Sequence, residues 1–198
     1  MRRLILATLL AFPLPAAAQE MTYARIQTTM GDLDVALEAE RAPATTQNFL
    51  AYATKGHYDR TLIHRVVPGV LFQGGGYSAQ FFERPTGDPV ANEASNGLKN
   101  ERGTLAMARF DDPDSATSQF FVNLVDNPSL DRTSDEWEKD AGYTVFGRIV
   151  AGLDVADAIG AVATGPGPDF TPLAAEVPVE DVLILRIDPI EADEVRAE

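Results

Sequence analysis

An arginine and a glutamine within one short stretch are the side chains best suited to chemistry in this sequence. Arg65 and Gln73 lie in Ile63–Gly76, which reads I-H-R-V-V-P-G-V-L-F-Q-G-G-G. The turn pair Pro68-Gly69 separates two apolar runs, and this pattern predicts a strand, a turn and a second strand. An arginine held beside an apolar surface indicates a site that binds an uncharged, partly hydrophobic group and polarises it.

Other catalytic arrangements find little support in the sequence. The two histidines, His57 and His64, lack the spacing of a zinc-binding H-E-x-x-H motif, and no serine lies in a G-x-S-x-G turn. The glycines after Gln73 are not followed by the Lys-Ser or Lys-Thr of a phosphate-binding loop. The acidic loop around Asp112 lacks EF-hand spacing and is better interpreted as solvated. We therefore expect neither a metal nor a cofactor.

Residues 1–18 have the pattern of a secretory signal peptide. Arg2 and Arg3 supply a positive start, Leu4–Leu14 is apolar, and Ala16-Ala17-Ala18 offers a cleavage site, so the mature chain is expected to begin at Gln19. An uncleaved membrane anchor is the less favoured interpretation, because a membrane-spanning helix needs about 20 apolar residues. The sequence thus predicts an exported protein with no membrane insertion after cleavage.

Composition narrows the function further. The sequence has no cysteine, which excludes disulfides and thiol chemistry and leaves packing to stabilise the fold. The formal charge is -14, and it would become -16 once Arg2 and Arg3 leave with the signal peptide. Such a surface repels nucleic acid and anionic lipid, so neither is an expected partner. Residues 19–198 are predicted to form a single domain.

Alternating apolar and polar residues predict many short strands and only two helices. The further predicted strands are Tyr23–Thr28, Leu33–Leu37, Thr104–Ala108, Gln119–Leu124, Tyr143–Val150 and Val182–Ile187; the helices begin at Arg41-Ala42-Pro43 and at Leu153. The first two strands are expected to form an antiparallel hairpin joined at Thr29-Met30-Gly31. Pairing of the first and last strands would close an antiparallel barrel or sandwich. Gly74–Asn100 is expected to be a long surface excursion, and the acidic tail after Asp188 is expected to fray.

Three motifs, in one order along the chain, resemble those of the cyclophilin peptidyl-prolyl isomerases. Ile63–Gly76 is similar to their F-H-R-x-x-P-G-F-x-x-Q-G-G segment, Gly103–Arg109 to G-x-x-x-M-A, and Thr117–Phe121 to S-Q-F-F. The resemblance extends from Tyr23 to Ile187. It implies a mainly β fold, a closed eight-stranded antiparallel β-barrel capped by two α-helices. It also implies cofactor-free cis–trans isomerisation of Xaa-Pro bonds.

The resemblance also implies roles for particular residues. The catalytic set that it implies is Arg65, Gln73 and Phe121: the catalytic arginine, the glutamine that binds the substrate carbonyl, and a wall of the proline pocket. The substrate-binding residues that it implies are His64, Val70, Leu71, Met107, Ala108, Arg109, Gln119, Leu130 and Tyr143. Without it, the apolar members would be interpreted as core, Arg65 as half of a surface ion pair and His64 as a structural histidine.

Two positions depart from the family's pattern. Val70 stands where phenylalanine is usual, which predicts a wider and less aromatic proline pocket. Ser129 stands where many members carry a tryptophan that donates a hydrogen bond to cyclosporin, so it puts tight binding of that inhibitor in doubt. Trp137 lies in a locally longer loop, and the sequence leaves open whether it substitutes.

The sequence therefore predicts a periplasmic, monomeric prolyl isomerase that accelerates the folding of exported proteins. Its expected partners are proline-containing polypeptides and unfolded exported proteins. The main alternative is a non-catalytic chaperone that holds proline peptides in the same groove, and it is motivated by Val70 and Ser129. A barrel that stores an apolar small molecule ranks last, because the inward Leu, Val, Ile and Phe residues are numerous enough to fill it.

Overall fold

Eight strands close into one antiparallel barrel in the computed structural model, which describes residues 21–134, 141–168 and 175–197. The strands are β1 Thr22–Thr28, β2 Gly31–Leu37, β3 Thr61–Val67, β4 Leu71–Ser78, β5 Thr104–Met107, β6 Phe120–Asn123, β7 Val145–Ala151, β8 Thr164–Gly165, β9 Val177–Pro178 and β10 Leu183–Ile190; the helices are α1 Pro43–Thr54 and α2 Leu153–Gly160. Around the barrel the order is β1, β10, β3, β4, β6, β5, β7 and β2. The short strands β8 and β9 pair with each other. The predicted eight-stranded barrel with two helices is confirmed.

The two ends of the chain meet in the barrel wall. Strand β1 pairs with β2 through the predicted hairpin and with β10 on its other side, so the first and last barrel strands remove each other's free edge. The expectation that Gly74–Asn100 is wholly a surface excursion is wrong at its start, because β4 continues to Ser78. The expectation of a frayed tail is also wrong, since β10 continues to Ile190 and contacts extend to Arg196.

An ion cluster explains why the tail is held. The carboxylate of Asp34 is fully buried and accepts hydrogen bonds from Nε (2.7 Å) and Nη2 (3.0 Å) of Arg25. It also accepts from the backbone N–H (2.9 Å) and Nε (3.1 Å) of Arg196. Burial alone would raise the pKa of Asp34, but the bonds from Arg25 and Arg196 outweigh it and lower the pKa to about 2. The hydrogen bonds and ion pair between Arg196 and Asp34 therefore hold the C-terminal segment against the barrel wall.

The barrel interior is filled by apolar side chains from all eight of its strands and from both helices. Helix α1 covers one opening and inserts Phe49, whose ring lies 5.5 Å from that of Phe120 and 5.2 Å from that of Phe146. Helix α2 contributes Ala156 and Ile159, both fully buried. A filled interior removes the basis for a small-molecule store among the described residues.

Two sequence predictions fall on residues that the structure does not describe. The signal peptide, residues 1–18, lies outside the described residues, and so does Trp137. Within the described ranges, no helix has the length and apolar character needed to cross a membrane.

Candidate active site

The proposed catalytic residues form a row across the outer face of the barrel. The strand register places Arg65 of β3 opposite Gln73 of β4, Gln73 opposite Phe121 of β6, and Phe121 opposite Ala106 of β5. Side chains opposite each other on one face of an antiparallel sheet lie about 5 Å apart. Residues that are far apart in sequence therefore become neighbours, and we call this set the cross-strand row.

The alternation of strand residues gives this face its own apolar surface. Along β4 and β6, Phe72 and Val122 point into the barrel, whereas Leu71 and Phe121 point outward. We call the resulting set the outer cluster: Leu71, Ala106, Phe121 and Val145, with Val67, Val70, Leu98, Ala108, Leu130 and Tyr143 packed against them. It joins Val70, Leu71, Ala108, Leu130 and Tyr143 of the predicted substrate-binding set to Phe121. An apolar, outward-facing surface beside an arginine suits a small ring such as that of proline.

A chain of polar contacts borders the outer cluster. The Nε2 atom of Gln73 donates to Oε1 of Gln119 at 2.8 Å, while Nη1 of Arg65 lies 3.5 Å from Oε1 of Gln73. The second distance is long for a hydrogen bond, so it constrains the arginine weakly. The Nε atom of Arg65 donates to Oε2 of Glu176 at 2.5 Å. The guanidinium is thus held at Nε by Glu176, and its Nη1 atom lies beside Gln73 of the cross-strand row.

A small cleft of about 70 Å³ continues the groove past Gln73. Its lining includes Ala108, Arg109 and Gln119 of the predicted set. Arg109 donates from Nε to the carbonyl oxygen of Gly142 at 3.0 Å, and its guanidinium carbon lies 4.7 Å from the ring centre of Tyr143. These contacts hold Arg109 flat against the edge of the outer cluster.

Two predicted substrate-binding residues do not reach the surface of the site. Met107 is 2% exposed and packs in the barrel interior, because it follows the outward-facing Ala106 on β5. His64 is also 2% exposed, and its ring lies 4.7 Å from that of Tyr77. The register shift between Ile63 and Arg65 leaves His64 as the extra residue of a bulge. Direct contact with a substrate does not fit the burial of either side chain.

The pKa of His64 predicts that acid destabilises the fold. Burial lowers this pKa to about 4, the backbone hydrogen bond with Leu62 opposes the shift, and the charge of Arg65 adds to it. The unfolded chain titrates near 6.5, so between about pH 6.5 and 4 it binds the proton before the folded chain does. We expect the free energy of unfolding to fall by on the order of 3 kcal/mol as the pH drops through this window.

Urea unfolding of the wild type and of His64→Gln, measured from about pH 7 to pH 4, checks this expectation. The amide of glutamine does not titrate, so the variant should lose less stability on acidification than the wild type. His57, whose pKa burial also lowers, is present in both proteins and contributes equally to each profile. Parallel profiles for the two proteins would contradict the assignment.

Sequence reasoning missed two side chains that the structure brings to the site. Glu176 lies just before β9 and reaches Arg65 across 111 positions of sequence, with no motif to mark it. Phe110 is 75% exposed beside the cleft at Gln73. Its place directly after the matched segment Gly103–Arg109 is the signal that could have found it.

The glycines of the central stretch serve the site in different ways. Gly75 has φ +87°, a conformation that other residues rarely adopt. Gly76 has no such φ, but a Cβ there would lie 2.5 Å from Cδ of Gln119. The missing side chain at Gly76 therefore makes room for Gln119 to reach Gln73.

Gly76→Ala is expected to lower activity with little effect on stability. Because the Gln119 side chain is flexible, it should move away from the new methyl group and lose its 2.8 Å hydrogen bond with Gln73. We expect kcat/KM for a proline peptide to fall about tenfold. Thermal unfolding should shift by no more than about 4 °C. Gly165→Ala, where the nearest atom is 3.6 Å away, is the control, and full activity of Gly76→Ala would contradict this role.

Comparisons with known proteins agree with this geometry. Residues 23–188 match the family model described as cyclophilin type peptidyl-prolyl cis-trans isomerase/CLD. The chain is 45% identical to peptidyl-prolyl cis-trans isomerase A of Dickeya dadantii over 79% of this chain and 80% of that protein. It is 46% identical to peptidyl-prolyl cis-trans isomerase B of Escherichia coli over 79% of this chain and 93% of that protein.

A solved structure shows the same likeness in three dimensions. The crystal structure of a cyclophilin type peptidyl-prolyl cis-trans isomerase of Cryptosporidium parvum, in the presence of the dipeptide Ala-Pro, matches with a TM-score of 0.67 and 26% identity. The match covers 85% of this chain and 99% of that one. The chain belongs to the cyclophilin-type peptidyl-prolyl cis-trans isomerase family. It is accordingly an enzyme, a peptidyl-prolyl cis-trans isomerase of the cyclophilin type.

Proposed function

We propose that this isomerase acts on Xaa-Pro bonds of exported polypeptides, with Arg65 donating a hydrogen bond to the prolyl nitrogen. The observation that carries the proposal is the cross-strand row, in which Gln73 lies between Arg65 and the apolar side chain of Phe121. A proline ring on the outer cluster would place its own amide bond beside these two polar groups. The catalytic roles of all three residues are part of the proposal.

The chemistry of the amide bond explains why an arginine is suitable. Rotation about an amide costs about 18–20 kcal/mol because the nitrogen lone pair is delocalised into the carbonyl. In the twisted transition state the lone pair returns to nitrogen, which then accepts a hydrogen bond better than in the ground state. A donor at this position stabilises the transition state selectively, as catalysis requires. A guanidinium remains charged throughout, so no proton transfer is needed.

The remaining site residues would hold the peptide while the bond turns. The amide of Gln73, which is held by its hydrogen bond with Gln119, would bind the carbonyl before proline. Arg109 and Ala108 line the cleft that would receive the preceding residues. The relative from Cryptosporidium parvum, whose structure was determined in the presence of Ala-Pro, supports a peptide substrate of this kind.

The proposed setting is the periplasm, where unfolded exported proteins would be the substrates. The signal-peptide pattern of residues 1–18 supports export. Isomerisation of Xaa-Pro bonds takes tens to hundreds of seconds unassisted, slow enough to limit folding, so a catalyst would be useful there. We further propose that the mature chain acts as a monomer, without nucleic acid or membrane partners.

The central test is the cis-to-trans exchange rate of an Ala-Ala-Pro-Phe peptide, measured by magnetisation-exchange NMR with the purified chain. Acceleration is the expected result. The competing function, a chaperone that holds proline without twisting it, is motivated by Val70 and by the exposed Ser129, which leave the pocket less aromatic. Peptide-induced shifts without faster exchange would favour that chaperone and contradict the proposal.

Two further experiments test the cellular setting. Residues 1–18 fused to a reporter that is active only after export should give activity, and replacing Arg2 and Arg3 by glutamate should lower it. The mature chain should also accelerate the refolding of an exported protein that is limited by a prolyl bond. An inactive reporter fusion would contradict the periplasmic assignment, whereas unchanged refolding would contradict the proposed substrates.

A further inference from the structure

Glu176 is anchored to the strand that carries Arg65 at two points. Its backbone oxygen accepts a hydrogen bond from the N–H of Val66 at 2.7 Å. Its side-chain Oε2 accepts from Nε of Arg65 at 2.5 Å. The next residues form β9, which packs beside β3. The backbone of Glu176 is therefore held against β3, and this contact positions its carboxylate beside the guanidinium of Arg65.

The point of attachment on the guanidinium matters for catalysis. A guanidinium presents five N–H groups in one rigid plane, so a bond at Nε sets the orientation of the whole plane. It does not occupy the terminal nitrogens, and one of them, Nη1, lies on the side of Gln73 in the cross-strand row. Gln73 holds Nη1 only through the long 3.5 Å contact, and Glu176 is the only other group among the described residues that accepts a hydrogen bond from the Arg65 side chain. Among the described residues, Glu176 therefore supplies the one short hydrogen bond that orients the guanidinium of Arg65.

We propose that Glu176 is a positioning residue, which orients the guanidinium of Arg65 toward the prolyl nitrogen before the substrate binds. The proposal rests on the catalytic role proposed for Arg65. Arginine has many rotamers, and orienting it in advance removes an ordering cost that would otherwise arise in the transition state. Glu176 itself does not contact the reacting bond in this scheme.

A purely structural ion pair makes different predictions. The side chains of Arg65 and Glu176 are 33% and 39% exposed, and exposed pairs of this kind contribute little to stability. Removal of the Glu176 carboxylate should therefore leave the unfolding temperature nearly unchanged, whereas kcat should fall. The pair between Arg102 and Asp157, exposed and joined by two 2.8 Å hydrogen bonds, provides a matched control.

The experiment compares Glu176→Ala, Glu176→Gln and the control Asp157→Ala by peptide exchange, with kcat and KM determined separately. Glu176→Ala should lower kcat about tenfold and leave KM within about twofold, since only the orientation of the donor changes. Glu176→Gln should recover most of the loss, because its amide oxygen still accepts from Nε. Asp157→Ala should match the wild type. A normal kcat in Glu176→Ala, or a change confined to KM, would overturn the proposal.

A spectroscopic measurement keeps this test separate from the test of Arg65 itself. The Nε–H resonance of Arg65, assigned by its loss in Arg65→Ala, should exchange slowly with water in the wild type and quickly in Glu176→Ala. An unchanged resonance would overturn the positioning role even if activity fell. In the Arg65→Ala background, Glu176→Ala should cause no further loss of kcat, and an equal loss there would also overturn it. Failure of Arg65→Ala to lower kcat would instead refute the catalytic role of Arg65.

Discussion

Replacing Arg65 by alanine is expected to lower kcat/KM for an Xaa-Pro peptide about 100- to 1,000-fold, the loss typical when a preorganised transition-state donor is removed. Peptide affinity should weaken only a few-fold, because the outer cluster, which would bind the proline ring, is unchanged. Arg65 is part-exposed, and its ion pair with Glu176 is accessible to water, so the fold should remain intact.

Magnetisation exchange for the rate and NMR titration for the affinity provide the measurement. Arg65→Lys should recover part of the activity, since an ammonium restores the charge but not the planar set of donors. Arg102→Ala, which removes a remote surface arginine, is the control and should retain wild-type activity. An Arg65→Ala enzyme with nearly normal kcat/KM would refute the proposed mechanism.

Local pattern in the sequence predicts the barrel elements well. The hairpin between β1 and β2 follows from strict alternation around Thr29-Met30-Gly31, and α1 begins at the proline that the sequence marks as a helix start. Pairing of β1 with β10 was predictable because both are apolar strands that need a partner. The strands, the hairpin and the helix start depend on residues that are neighbours in sequence. The pairing of the two terminal strands joins distant residues, and it could be predicted only because a closed barrel leaves no strand edge unpaired.

Features that depend on distant residues were not predictable in the same way. The bulge at His64 shifts the register by one residue, and no turn residue marks it. The hydrogen bonds of Arg196 with Asp34 cross 162 positions, and only the closed barrel brings the two together. The prediction of a frayed tail rested on its acidic composition, whereas the tail is held by hydrogen bonds from Arg196 to Asp34 and Asp32 and from Arg25 to the carbonyl oxygen of Glu194.

In the site, too, some features follow from the local sequence pattern and others do not. Alternation indicates that Leu71 and Phe121 share a face, but it cannot indicate whether that face is interior or exterior. The resemblance to a family assigned them to a groove, and the outer cluster places them together on the outside of the barrel. The same resemblance failed for Met107, because the residue after an outward-facing Ala106 must point inward.

Removal of the Asp34 carboxylate should cause a large loss of stability at a position remote from the site. Asp34→Ala leaves Arg25, itself only 22% exposed in its side chain, without its buried partner. It also removes the two hydrogen bonds of Arg196 with this carboxylate, while the bond from Arg196 Nη2 to the carbonyl oxygen of Asp32 remains. Breaking a buried ion pair at one side costs about 3–5 kcal/mol, because the other charge stays desolvated. We expect a decrease of about 3 kcal/mol in the free energy of unfolding, measured with urea, since Arg196 can turn toward water.

Two control variants distinguish the contribution of Arg196 from that of Arg25 and test whether the burial of Asp34 determines the loss of stability. Arg196→Ala should cost less than Asp34→Ala, because the bond between Arg25 and Asp34 survives. Asp157→Ala, which removes an exposed carboxylate from a comparable pair with arginine, should change stability by no more than about 0.5 kcal/mol. Equal effects of Asp34→Ala and Asp157→Ala would contradict the importance of burial.

The pH dependence of the free energy of unfolding tests the contribution of the Asp34 carboxylate in the wild-type chain. The pKa of Asp34 is about 2 in the folded chain and ordinarily about 3.8, so the unfolded chain binds the proton first as the pH falls. The contribution of Asp34 is therefore complete above about pH 4 and is lost between about pH 4 and pH 2. Its size is about 2 kcal/mol. This window lies below that of His64, so Asp34→Asn should alter the lower part of the stability profile and His64→Gln the upper part. Loss of both steps in either variant would show that the two groups act as one unit, contrary to their separate positions in the fold.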